Sequence, residues 1–111
     1  MKKRSVHTGS PAPATLRGFQ RKFPEVWKAY EGFREACDDQ GPLDTKTREL
    51  IKVAISVALG RTGGLVAHLD RCRAAGASKE EICQAILLAA PLAGFPVTLA
   101  GFRIFQKQPT R

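Results

Sequence analysis

The sequence predicts an all-helical fold, a compact bundle of about five to six helices behind a flexible N-terminal arm, and three observations carry that reading. Apolar side chains recur at steps of three and four along the chain. Nowhere do apolar and polar residues alternate as they would along a half-buried strand. Capping and stop residues punctuate the pattern at helical intervals, with Asp44 or Thr45, Ser78 and Gly76 the clearest. A chain of 111 residues is one domain's worth of core, placed here at residues 14–108, with residues 1–13 as the arm.

In the arm Ser, Thr, Gly and Pro dominate, so nothing there can bury a face. Phe19, Phe23, Trp27, Tyr30, Phe33 and Cys37 then follow at steps of four, four, three, three and four, one stripe of a helical surface. Pro24 suits a first helical turn, which divides this region into a short helix and a longer one from about 24 to 39. The stripe is expected to pack in the core. Asp38-Asp39-Gln40-Gly41-Pro42 ends the second helix.

The next helix, capped by Asp44 or Thr45 and running to about Leu59, is apolar nearly all round and is expected to be central. Its polar strip is Glu49, Lys52 and Ser56, spaced three and four and therefore on one narrow face. Gly60, Gly63 and Gly64 supply a reversal, and a helix follows to about Ala75 with Gly76 as its stop. Ser78-Lys79-Glu80-Glu81 is a capping box opening another helix through Ile82, Ile86 and Leu87. Pro91 and Gly94 interrupt it. Pro96 can start a last helix whose Val97, Leu99, Ala100, Phe102, Ile104 and Phe105 are apolar on more than one side, which points to a contact with another copy of the chain.

Composition narrows the function classes. The net charge of +8 looks like a nucleic-acid signal, yet Lys2, Lys3, Arg4, Lys107 and Arg111 supply five of those charges and leave +3 for the body. No alternation of basic and aromatic residues offers a stacking surface, so nucleic acid is not the expected partner. The run after Lys2-Lys3-Arg4 has no apolar core and contains Pro11 and Pro13, so no export signal is read there; no run of about 18 apolar residues predicts a membrane span. Three cysteines, Cys37, Cys72 and Cys83, form no close-paired motif, which fits a reducing cytoplasm better than a disulfide framework. Each is expected to serve as a small packing residue.

The segment from Asp44 to Cys83 sets Glu49 and His68 on consecutive helices joined by a glycine turn. With Phe23-Pro24-Glu25, Lys46-Thr47-Arg48-Glu49-Leu50, Gly76-Ala77-Ser78, Glu80-Glu81-Ile82 and Gly94-Phe95-Pro96, it resembles the carboxymuconolactone decarboxylase and alkyl hydroperoxidase D-like proteins over roughly Phe23 to Phe105. The resemblance implies an alkyl hydroperoxidase D-like helical fold, a homo-oligomer (trimer or hexamer), a small-molecule substrate and no cofactor. In the thiol branch of that family a glutamate precedes a Cys-x-x-Cys pair, and a histidine follows four residues after the second cysteine. Here Arg61 and Gly64 stand at the two thiol positions, with Glu49 twelve residues upstream of the first and His68 four after the second. The spacing survives; the redox pair does not.

Several chemistries stay open on those residues. Leu65, His68, Leu69 and Cys72 share a helical stripe while Asp70, Arg71 and Arg73 face elsewhere, so His68 is expected to be partly buried, either as a general base or as a structural imidazole. Glu49 is either its partner or a carboxylate favoured by the helix dipole with Lys52 three residues on. Eleven residues separate Glu49 from Gly60 (about 16 Å) and four separate Gly64 from His68 (about 6 Å). A straight hairpin would then offset the two by roughly 10 Å, leaving a direct bond, a water bridge or separate partners. Decarboxylase-branch resemblance implies loss of carbon dioxide from a small lactone carboxylate. For that, Arg61 or Arg48 could hold the carboxylate and His68 move the proton. The alternatives are a thiol-dependent peroxidase working through Cys72, four residues after His68, and a non-catalytic binding or assembly protein. No metal-ligand cluster is visible, since His7 lies in the arm and His68 stands apart.

Overall fold

The computed structural model describes residues 13–109, which form α1 (Ala14–Lys22), α2 (Pro24–Asp38), α3 (Thr45–Ala58), α4 (Thr62–Ala74), α5 (Lys79–Leu87), α6 (Ala90–Ala93) and α7 (Phe95–Gln106). The all-helical expectation holds, with α6 a single turn between longer helices and no strand among the described residues. The arm expected at residues 1–13 lies outside the described residues except for Pro13. None of the helices among the described residues is long and apolar enough to cross a membrane. The chain divides into two compact units at residues 43 and 44.

In the first unit Pro24 occupies the start of α2, where its missing N–H costs no hydrogen bond, and Phe23 forms the break after α1. Arg34 binds Glu31 at 2.6 Å and Asp38 at 3.4 Å along one face of α2. The aromatic stripe, expected in the core, is instead largely exposed: Phe19 is 42%, Phe23 46%, Tyr30 51% and Phe33 66% accessible, and Cys37 is exposed as well. Periodicity identifies an apolar face but not what covers it. Phe19 packs on Phe23 and Trp27 on Tyr30, each on a neighbour along the stripe.

The buried core belongs to the second unit. Val53 and Val57 of α3 meet Leu65, Leu69 and Cys72 of α4 and Ile82, Ala85 and Ile86 of α5, with Ala89 beyond. Asp44 caps α3 by accepting from the Thr47 N–H at 2.8 Å, as its position predicted. At the start of α5 the Ser78 hydroxyl accepts from Glu81 N–H while the Glu81 carboxylate accepts from Ser78 N–H, the reciprocal box the sequence called for. Lys46 ties the two helix starts together through Glu81 at 3.0 Å. The helix α3 is less enclosed than its composition implied, because Ile51 and Ile55 are 42% and 51% accessible.

Two backbone features fix the α3–α4 hairpin and its packing. Gly60 takes φ +69°, a conformation L side chains rarely adopt, and turns the chain out of α3. Gly63 and Gly64, expected in the reversal, lie instead in the first turn of α4. On the other side of the core, Gly101 of α7 lets that helix approach α3, since a Cβ there would sit 2.7 Å from Val57 Cγ2.

Candidate functional site

Glu49 and His68 meet directly. Nδ1 of His68 lies 2.9 Å from Oε1 of Glu49, across the interface of α3 and α4. The offset expected from the sequence shrinks because α4 begins at Thr62: Glu49 stands nine residues before Ala58 (about 14 Å) and His68 six after Thr62 (about 9 Å). The remaining difference of about 5 Å is within reach of the two side chains. Neither a water bridge nor separate partners is needed.

The apolar stripe on α4 explains the depth of each group. Leu65, Leu69 and Cys72 are fully buried, while His68 at the stripe's edge keeps 21% of its side chain exposed and Glu49 keeps 7%. Burial pushes the Glu49 carboxyl up. The hydrogen bond from His68 and the positive charges of Lys52, His68 and Arg71 outweigh that push, and its pKa lies below the ordinary value. Ionised, Glu49 can only accept, so the proton between the two belongs to His68 Nδ1. Nε2 is then the acceptor of the neutral ring, and among the described residues it has no hydrogen-bond partner.

Lys52, three residues after Glu49, places Nζ 3.7 Å from Glu49 Oε2. Arg71, three residues after His68, shares its face of α4 and acts on Glu49 through its charge. The sequence reading turned Arg71 away from His68, although the i+3 spacing places the two on neighbouring positions of α4. The two arginines proposed from the sequence are not brought to the pair in any described contact. Arg48 turns back to the Thr45 hydroxyl at 3.1 Å, and Arg61 is exposed at the N-cap of α4.

Cys72 lies four residues after His68, but its thiol is fully buried and its pKa is pushed up to about 12 by burial and by the Glu49 charge, against the opposing charge of Arg73. At neutral pH it is a thiol, and a thiol is a poor nucleophile. No group of three His, Cys, Asp or Glu side chains among the described residues is arranged to hold a metal. A separate cleft of about 390 Å³ is lined by Arg73, Ser78, Ile82, Phe105 and Gln108 among others, and it contains none of the sequence-predicted site residues. Of its polar members, Arg73 is paired with Gln108 at 2.6 Å and Ser78 with Glu81.

The lowered Glu49 pKa gives a stability prediction. A carboxyl whose pKa is depressed by folding contributes stability that is present above the unfolded value and is lost as pH falls through the folded one. Wild-type unfolding free energy should therefore decline below the ordinary glutamate value of 4.5, and Glu49→Gln should have a shallower acid limb. Asp44, lowered by its bonds from Thr47, and Glu81, lowered by Ser78 and Lys46, titrate in both proteins, so the difference isolates Glu49. Superimposable acid limbs in urea unfolding from pH 3 to 7 would refute the assignment.

Comparison with known proteins gives one match: the profile of the Carboxymuconolactone decarboxylase family covers residues 24–107. No curated protein and no solved structure matches the chain.

Proposed function

We propose that this chain, which belongs to the Carboxymuconolactone decarboxylase family, performs acid–base chemistry on a small carboxylate or lactone, with His68 as the proton-transfer group. The observation that supports this most is the 2.9 Å bond from His68 Nδ1 to Glu49, which leaves Nε2 on a partly exposed ring as the reactive nitrogen. Glu49 acts as a positioning residue: it holds the tautomer and stabilises the imidazolium that forms when Nε2 takes a proton. In a decarboxylation, the bond from the substrate carbon to its carboxylate breaks, the electron pair stays on carbon, and carbon dioxide leaves. The His68 imidazolium, formed when Nε2 takes up a proton from water, then delivers that proton to the carbon. Turnover of a small lactone carboxylate by the wild type, His68→Gln and Cys72→Ser tests the reading. Activity should depend on His68 and not on Cys72; full activity in His68→Gln would end it.

The thiol-peroxidase alternative has less support, since the Cys72 thiol is buried and its pKa is high. A non-catalytic role sits poorly with a histidine that keeps 21% of its side chain exposed rather than packed away.

We also propose that the chain self-associates. Tyr30 and Phe33 in the first unit, and Ile55, Leu59, Leu92 and Phe95 in the second, are each at least half exposed, large apolar side chains that a subunit contact would cover. Sedimentation at micromolar concentration should give a multiple of the 12.1 kDa chain mass, and a single monomeric species would contradict the proposal.

A further inference from the structure

Four arginines of the described chain are half-buried: Arg34, Arg48, Arg71 and Arg73. Three of them have side-chain hydrogen bonds, Arg34 to Glu31 and Asp38, Arg48 to Thr45, and Arg73 to Gln108. Arg71 has none among the described residues, although its charge acts on Glu49. It lies one turn after His68 on the same face of α4, and across the hairpin Lys52 stands 3.7 Å from Glu49. Two cations thus act on one carboxylate. A guanidinium fork held partly out of water and short of partners is suited to a carboxylate, which it can bind through two parallel N–H bonds.

We propose that Arg71, assisted by Lys52, is the anion anchor of this site and selects substrates that carry a carboxylate next to the carbon reached by His68. The assignment rests on the acid–base reading of His68 given above, and it replaces the two arginines the sequence nominated. Arg61 precedes His68 by seven residues, about 10 Å along the helix. Arg48 is rotated from Glu49 by roughly 100° around α3 and leans on Thr45 at 3.1 Å.

Succinate serves as the probe, titrated into the full chain while the ¹⁵N and ¹³C signals of the His68 ring are followed by NMR, with neutral succinamide as the control. Succinate should shift the His68 signals saturably and succinamide should not. Arg71→Gln should weaken the apparent affinity by about tenfold or more, the loss expected for one charge-assisted contact, whereas Arg61→Gln and Arg48→Gln should stay within about twofold. Because the Arg71 side chain makes no hydrogen bond among the described residues, its replacement should leave the fold intact, which thermal unfolding of the variant checks. The proposal is overturned if the wild type shows no succinate-dependent shift, if Arg71→Gln binds as well as wild type, or if Arg61→Gln loses as much. Glu49→Gln separates this from the acid–base reading. It should disturb the His68 tautomer while leaving succinate binding intact or tighter. An unchanged tautomer would remove the acid–base reading, and the anchor would still stand or fall on the Arg71→Gln titration.

Discussion

Replacing His68 by Gln should lower turnover of a small lactone carboxylate by about 10²–10⁴-fold, the range associated with loss of one positioned acid–base group. Glutamine is a demanding replacement because its amide N–H can still donate to the ionised Glu49, although from one atom farther along the side chain than the Nδ1 that makes the 2.9 Å contact. What it cannot do is accept and release a proton near neutral pH. If the rate falls while the urea midpoint stays close to wild type, the effect belongs to chemistry and not to packing. With Lys52 and Arg71 unchanged, substrate binding should survive, so the loss should fall on kcat rather than on KM. A variant that keeps its rate would mean that the proton is moved by another group.

The largest effect on stability should come from Gly101→Val, at about 3 kcal/mol or more. All three carbons of the Val57 side chain crowd the space a Cβ at position 101 would take, with Cγ2 at 2.7 Å, Cγ1 at 3.0 Å and Cβ at 3.3 Å. Val57 is β-branched, 2% exposed and confined in the core, so it has little rotamer freedom with which to give way. The strain must pass to the backbone, parting α7 from α3. A loss of that size is a large share of the roughly 5–15 kcal/mol that stabilises a typical domain. Val57→Ala makes the argument specific: in that background Gly101→Val should cost markedly less than in the wild type. A double-mutant cycle in urea reads the coupling directly, and additive costs would show that the two positions do not press on each other.

How much of this was legible depended on whether the cause was local. Asp44 and the Ser78–Glu81 box are local signals, and both caps form where the sequence placed them. The stripe of Leu65, Leu69 and Cys72 is a local period as well; it gave the depth of His68 before any contact was known. The direct Glu49–His68 bond could not be decided from spacing, because the answer turned on where α4 begins. Glycines at 63 and 64 read as turn residues, yet the left-handed conformation at Gly60 alone turns the chain, and the two that follow enter the helix. That shift carries His68 farther along α4, toward the level of Glu49. Arg71 was set facing away from His68 for a different reason. Its interest lies in lacking a side-chain hydrogen bond among the described residues, a property that appears only when the other half-buried arginines are seen to have such bonds. The exposed aromatic stripe of α1 and α2 marks the limit of periodicity, which reports that a face is apolar and nothing about its cover.

The central claim is that Glu49 fixes His68 as the Nδ1–H tautomer and leaves Nε2 free to work. Long-range ¹H–¹⁵N correlation of the His68 ring in the full chain, recorded where the imidazole is neutral, measures this with no substrate. The account predicts a protonated Nδ1 and an unprotonated Nε2 in the wild type, and loss of that preference in Glu49→Gln. A proton resident on Nε2 in the wild type, or a tautomer unaffected by Glu49→Gln, would contradict it.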